Sequence, residues 1–262
     1  MKNTKRQQPI IGILPDYSNG EENSYSTKSF YAQNCNLVDS VFKANAIPIL
    51  ITYQSKNIDD YLNLIDGLLI SGGDFDIDPV FYNENFIHPK TKLNPLRNHF
   101  EIDIIKKALA KKTLPILGIC NGMQLICVVH GSKLIQHICE EQDQNYLNHE
   151  QSDINGFENY EKAFHHVSIT ANSQFAKIIG EDKIYTNSAH HQAVRSVNDP
   201  IKVVGISDDG IIEAIENQNH PFCIGVEWHP EYYSSSSDEK LFNEFVSKSQ
   251  QFLQNKIYDF EK

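Results

Sequence analysis

The chain has 262 residues, 40% of them hydrophobic and 22% charged, with no tandem repeat, the proportions of a globular protein able to bury a substantial core. Its formal net charge of −11 disfavours nucleic acid and anionic membranes as partners, since both want a basic surface, and favours small molecules or proteins. Five scattered cysteines, at 35, 120, 127, 139 and 223, fit a reducing cytoplasm better than a disulfide framework.

The basic start MKNTKRQQ runs into residues 9–14 (PIIGIL), a strand candidate closed by Pro15 and Asp16 and too short for a signal peptide. Residues 29–45 read as an amphipathic helix carrying Tyr31, Leu37, Val38, Val41 and Phe42, and 47–52 as a second strand. A short helix over 58–65 and a third strand over 66–71 (DGLLIS) lead to Gly72-Gly73. Residues 95–112 predict a long helix with Phe100, Ile104, Ile105 and Leu109, and 113–119 a buried strand bracketed by Pro115 and Gly118. From Asn121, the residues Met123, Leu125, Ile126 and Val129 fit a helix stopped by Gly131. Alternating β and α at this spacing predicts a parallel sheet with helices on both faces, with sites outside the carboxyl ends of its strands.

Residues 139–165 are polar and acid-rich, either a cover over a site or a solvated excursion. Strand candidates then dominate, at 167–170, 202–206, 211–216 and 222–226, and turn residues at 208–210 and 217–219 predict an antiparallel meander for the last three. Ser236 and Glu239 match a capping box opening a final helix with Leu241, Phe242, Phe245, Val246, Phe252 and Leu253. No stretch is long enough to span a membrane, and no composition break marks a linker, so residues 1–262 read as a single domain.

The chemistry concentrates at Cys120. It stands between a buried strand and a helix, flanked by Gly118 and Gly122, so the chain can turn tightly there. A thiol at a helix N-terminus meets a dipole and unpaired N–H groups that favour its anion. The competing reading is a core cysteine, among the most buried of residue types. A nucleophile also needs a base and an orienting group. In the segment GVEWHPE, Pro230 biases His229 toward an extended conformation, and residues two apart then face one side, so Glu231 could orient the imidazole. An ordinary surface turn competes with that reading. Backbone N–H groups after Ser71, with the amide of Asn121, could form an oxyanion hole, against a plain glycine turn.

GICNGMQ resembles the G-x-C-x-G-x-Q elbow of class I glutamine amidotransferases, and VEWHPE resembles their terminal His-x-Glu motif. More narrowly, DGLLISGGDFDIDPVFY, NPLRNHFEIDIIKKAL, LPILGICNGMQLICVVHGSKLIQ, NSAHHQAV, DGIIEAIE and GVEWHPE resemble, in order, the γ-glutamyl-γ-aminobutyrate hydrolase branch. The resemblance implies a flavodoxin-like α/β fold, with a central, mostly parallel sheet, helices on both faces and a C-terminal antiparallel section. It implies a cytoplasmic hydrolase of γ-glutamyl amide bonds, a place in polyamine catabolism and no cofactor. Cys120 would be the nucleophile, His229 the acid/base and Glu231 its orienter. Gly73 and Asn121 would supply oxyanion N–H groups, and Gln124, Ser188, His190, His191 and Gln192 would bind substrate. The expected partner is a small γ-glutamyl molecule, with a homo-oligomer left open. A separate synthetase enters only under the alternative of a glutaminase subunit, and a silent γ-glutamyl-ligand binder is the third reading. Two departures stand out: Asn121 replaces the branch's arginine after the cysteine, and Asn45-Ala46 replaces its Gly-Gly.

No metal site is expected. Asp74, Asp76 and Asp78 start like a calcium loop, but Pro79 and Asn85 occupy the positions where its glycine and glutamate belong. Adjacent histidines at 165–166 and 190–191 point to opposite faces if extended. No Walker or dinucleotide-type glycine loop is present.

Overall fold

The structure, a computed structural model, describes residues 6–20, 22, 25–141, 147–151 and 160–259. In chain order, β1 (Ile10–Leu14) precedes a ribbon of β2 (Asp16–Ser18) and β3 (Phe30–Ala32), then α1 (Cys35–Lys43) and β4 (Ile47–Leu50). Next come α2 (Ile58–Leu64), β5 (Gly67–Ile70), α3 (Pro95–Ala110), β6 (Ile116–Ile119) and α4 (Asn121–Val129). After β7 (Lys133–Ile135) and α5 (Ile138–Glu141) lie β8 (His165–Ile169), α6 (Gln174–Ile179), β9 (Lys183–Thr186) and β10 (Ala193–Ser196). The last elements are β11 (Ile201–Ser207), β12 (Ile212–Asn217), β13 (Cys223–Val226) and α7 (Ser236–Asp259).

One sheet runs in the order β4-β1-β5-β6-β13-β12-β11-β8-β9, with β10 joining β12 and β7. Its first five strands are parallel, in registers such as Leu14↔Ile70, Leu69↔Leu117 and Ile119↔Val226. From β13 onward the pairings are antiparallel. The period of two explains why the parallel strands read as continuous apolar runs. Leu68 and Ile70 pack among Leu62, Phe100, Ile104 and Ile126 of α2, α3 and α4, whereas Leu69, Leu117 and Val226 pack among Leu37, Val41, Phe242 and Phe245 of α1 and α7. Both faces are therefore covered, and the carboxyl ends of β5 and β6 open onto the loops that carry Gly72 and Cys120. Among the described residues no helix is long and apolar enough to cross a membrane.

Two expected elements differ. The helix expected over 29–45 starts only at Cys35, because the Asn34 side chain caps it by accepting the Asn36 N–H at 3.1 Å. Residues 30–32 are instead a strand, where Tyr31 meets Tyr17 and Tyr53 edge-on with ring centroids 5.3 and 5.2 Å apart. Phe42, expected on the buried face, is 69% exposed. The final helix is capped one residue earlier than expected, by Ser235 and Asp238 rather than Ser236 and Glu239. The Ser235 hydroxyl accepts the Ser237 N–H at 3.3 Å, and the Asp238 carboxylate accepts the Ser235 N–H at 2.9 Å. Asp238 also accepts the Trp228 indole N–H at 3.0 Å, a tertiary bond that selects this register. Within the polar stretch 139–165, residues 142–146 and 152–159 lie outside those described. Its His149 and Gln151 are buried.

Candidate active site

Cys120 is the hinge between β6 and α4. Its own N–H donates to the Val226 carbonyl at 2.7 Å, continuing the β6–β13 ladder, while its carbonyl accepts from Met123 and Gln124 at 2.9 and 3.2 Å and so opens the helix. Serving both elements forces φ 50° and ψ −114° on a residue with a side chain, a sparsely populated region. The turn fits only because its neighbours lack Cβ atoms. One on Gly118 would lie 2.7 Å from the Gly122 carbonyl, and one on Gly122 only 2.2 Å from the Ile70 carbonyl oxygen. The N–H groups of Asn121 and Gly122 open the helix and have no intrahelical acceptor. Cys120→Gly is expected to be about 1 kcal/mol more stable than Cys120→Ala. About 1–3 kcal/mol of strain is released, less about 0.5–1 kcal/mol of glycine backbone entropy. Urea melts of the two variants check this, and the opposite order would mean an unstrained turn.

His229 approaches from the end of β13. Its Nδ1 donates to Glu231 Oε1 at 2.8 Å, which directs Nε2 the other way. Glu231 stands in a short 3-10 turn, Pro230–Tyr232, so the carboxylate reaches the ring from a turn rather than from the expected continuous strand. Gly72 shows how tightly the groups meet: a Cβ there would lie 3.0 Å from His229 Cε1 and 3.3 Å from Cys120 Cβ. The ring is 16% exposed. Burial disfavours its charged form, but the Glu231 carboxylate and contact with Cys120 outweigh that and hold its pKa well above the ordinary histidine range. Asn187, which sequence reasoning missed, fixes the His229 backbone from both sides. Its Oδ1 accepts the His229 N–H at 2.9 Å, and its Nδ2 donates to the His229 carbonyl at 2.9 Å and the Tyr160 carbonyl at 2.8 Å.

Arg97 is the second residue that sequence reasoning missed. It lies in the first turn of α3, opened by the Asn94 cap and Pro95. Fully buried, it bonds Asp16 at 2.8 Å and Glu101 at 3.0 Å, and donates to the carbonyls of Gly72 at 3.0 Å and Ser71 at 3.4 Å. In a trans peptide the C=O and N–H point in opposite directions, so a Gly72 carbonyl held by Arg97 turns the Gly73 N–H away from it. A Cβ on Gly73 would lie 2.0 Å from Arg97 Nη1, which makes that position glycine.

Two adjoining clefts, each of about 520 Å³, meet at Cys120. Leu37, Gly72, His229, Glu231 and Tyr232 line the first, and Lys90, Lys92, Asn121, Gln124, His191 and Gln192 the second, with Gly73, Asp74, Tyr160 and Ala189 shared. His190 also reaches the second cleft. Gln124 is braced rather than free: Nε2 donates to Glu227 Oε1 and to the Gln192 carbonyl at 3.4 Å. His191 Nε2 pairs with Asp76 Oδ1 at 3.1 Å. Gln192 Nε2 donates to the Gln136 carbonyl at 3.2 Å. Asn121 turns its side chain inward, donating to the Phe75 carbonyl at 3.2 Å. Ser188 stands apart from the other expected binding residues. It is fully buried, lines neither cleft, and turns its hydroxyl to His149 Nδ1 at 3.0 Å.

Known proteins share both sequence and fold with this chain. The Peptidase C26 family model matches residues 9–231. A glutamine amidotransferase-like protein of Rickettsia prowazekii (strain Madrid E), RP404, is 35% identical over 93% of this chain and 99% of its own length. The γ-glutamyl-γ-aminobutyrate hydrolase PuuD of Escherichia coli (strain K12) is 27% identical over 95% of this chain and 96% of its own length. Among solved structures, a GMP synthase subunit from Thermoplasma acidophilum superposes with a TM-score of 0.63 at 14% identity. The match covers 96% of this chain and 98% of that one, and shows the shared α/β fold.

Proposed function

This chain belongs to the Peptidase C26 family, and from that premise we propose that it is a cysteine hydrolase of γ-glutamyl amides working through a glutamyl thioester. The meeting of Cys120 with a His229 already oriented by Glu231 carries the reading. Its likeness to PuuD points to the γ-glutamyl class. Cys120 Sγ attacks the γ-carbonyl carbon as His229 Nε2 holds the thiol proton. The oxyanion is received by the N–H groups of Gly73 and Asn121. His229 then gives its proton to the departing amine as the C–N bond breaks, leaving the thioester. Water, losing a proton to His229, attacks that thioester, and glutamate departs as Cys120 recovers its proton.

The acid must stand beside the leaving nitrogen, so the amine occupies the first cleft and the glutamyl group the second. Lys90 and Lys92, beside Asp74, Asp76 and Glu150 in the wall of the second cleft, are the cations there that can meet the glutamyl α-carboxylate. This supplies charge where the family branch carries an arginine after the cysteine. The described residues lining the first cleft include Asp16, Asp74 and Glu231 but no lysine or arginine. With Asp16 spent on Arg97, Asp74, where the two clefts join, sets the sign of the first, which has no cation to offset it. A γ-glutamyl diamine ending in an ammonium is therefore expected to exceed γ-glutamyl-γ-aminobutyrate in kcat/KM by about tenfold, the effect of roughly 1.4 kcal/mol. Initial rates across the two substrates and free glutamine test this, with intact mass spectrometry of acid-quenched enzyme reporting a glutamyl adduct on Cys120. Equal rates would remove the charge argument, and no adduct with any of the three would sink the hydrolase reading. RP404's amidotransferase-like description favours the glutaminase alternative, for which glutamine turnover would appear only with a synthetase added. Binding without turnover would mark a silent binder.

A further inference from the structure

Behind the wall of the second cleft, three histidines from separate segments surround one carboxylate. His149 Nδ1 and His165 Nε2 each lie 3.5 Å from Glu213 Oε1, and His190 Nε2 lies 3.6 Å from the same oxygen. All four residues are buried. These separations are longer than hydrogen bonds, and His165 Nε2, His190 Nε2 and both Glu213 oxygens have no hydrogen-bond partner among the described residues.

The outward nitrogens say what the inward ones carry. His165 Nδ1 faces the His166 carbonyl at 3.2 Å, His190 Nδ1 faces the Gln192 carbonyl at 2.9 Å, and His149 Nε2 faces the Asp209 carboxylate at 3.1 Å. Each of these acceptors takes a proton from the ring, so any of the three rings that is neutral presents a lone pair inward. The Ser188 hydroxyl at His149 Nδ1 supplies a single hydrogen. His149 Nδ1 and His165 Nε2 thus face the same carboxylate oxygen, an arrangement that a cation between them satisfies.

We propose that this cluster is a buried zinc-class divalent cation site, with His149, His165 and Glu213 as its ligands and His190 beside it. A tetrahedral ion with bonds of about 2.0–2.1 Å holds its ligand atoms about 3.3–3.4 Å apart, close to the 3.5 Å that separates His149 Nδ1 and His165 Nε2 from Glu213 Oε1. Imidazole ligands select zinc and its neighbours over magnesium or calcium, which want oxygen shells. Three protein ligands leave a fourth position for an exogenous ligand such as water, and their burial away from both clefts makes the ion a structural one. Asp209 on His149 is the carboxylate–histidine support that such sites use. The ion ties residue 149, β8 and β12 together, against the segment carrying His190, whose Nε2 stands 3.6 Å from Glu213 Oε1. That segment continues into His191 and Gln192 of the second cleft, so the ion braces the cleft wall without entering the reaction. The alternation of neighbouring histidines holds, since His165 turns inward while His166 is exposed. The cluster arises between segments, each contributing one histidine.

A proton on His190, whose charge the Glu213 carboxylate favours against burial, is the competing occupant. The full chain, purified without a metal-affinity step, is expected to contain about one zinc per chain by plasma mass spectrometry. Stripping with dipicolinate is expected to lower Tm by about 5–10 °C, with recovery on adding Zn²⁺. Co²⁺ added to the stripped protein is expected to give the visible absorption of a tetrahedral ion, lost in His165→Gln. A protein purified free of metal that shows neither a Tm shift with Zn²⁺ nor a Co²⁺ band would overturn the site in favour of the proton. Zinc retained in full by both His165→Gln and Glu213→Gln would overturn it too, placing the ion elsewhere, such as at His137, Cys139 and Glu150.

Discussion

Alanine in place of Cys120 is expected to lower kcat for any γ-glutamyl amide by about 10⁵–10⁶-fold. The size of the effect follows from the proposed covalent route, because without Sγ there is no thioester and water must attack the amide directly. Binding survives, since the clefts and the N–H groups of Gly73 and Asn121 do not depend on sulfur. KM for the residual reaction, or Kd for the intact amide, is therefore expected to change little. Glu231→Gln is expected to cost about 10²–10⁴-fold in kcat, as in other triads whose orienting carboxylate is neutralised. Its diagnostic is the pH profile. Burial resists charge on His229, and the Glu231 carboxylate is the largest influence restoring it. The wild-type alkaline limb of kcat/KM is thus expected above the ordinary histidine range, where the imidazolium finally loses its proton. In Glu231→Gln that limb moves to lower pH, because the imidazolium has lost its counter-charge. An alkaline limb that stays in place would separate Glu231 from His229 and return Glu231 to a structural role.

Arg97→Met is expected to lower both stability and turnover, and the two losses can be separated. Removing the guanidinium leaves Glu101 buried and unpaired, at a cost of about 3–5 kcal/mol. Burial already pushes the Glu101 pKa up to about 7 with arginine present, so the unpaired carboxyl takes up a proton and the loss is largest at alkaline pH. The same change frees the Gly72 carbonyl, letting the Gly73 N–H swing off the oxyanion position, which is worth about 10²–10³ in kcat. In Arg97→Met/Glu101→Leu the fully buried carboxyl goes with its partner and only the part-exposed Asp16 loses an ion pair, so most of the stability is expected to recover. Turnover stays low, with kcat and not KM carrying the defect. Recovery of kcat together with Tm would mean that Arg97 serves the core alone.

The candidate site was legible wherever chemistry and local conformation coincide in one short segment. The glycines around Cys120 and the His-Pro-Glu run declare themselves because the turn each needs is encoded by neighbours a few residues away. The parallel half of the sheet was equally plain, since strands buried on both faces become unbroken apolar runs in β5, β6 and β13. Short strands at the margins, such as β7 and β10, gave no such run. Residues 29–45 misled because a tyrosine packed in a ribbon and one in a helix share the same hydrophobic signature, and the Asn34 cap was the signal that distinguished them.

What the sequence determined by itself was therefore the α/β order of its elements, the tight turn at Cys120 and the spacing that lets Glu231 reach His229. Those depend on contacts within a few residues. Only the tertiary structure decided that Arg97 from α3 holds the glycine turn after β5, that Asn187 grips the His229 backbone, and that His149, His165 and His190 converge on Glu213. Such pairings join segments far apart in the chain, across helices and strands. Linear periodicity carries no record of a distance that sheet pairing and core packing set.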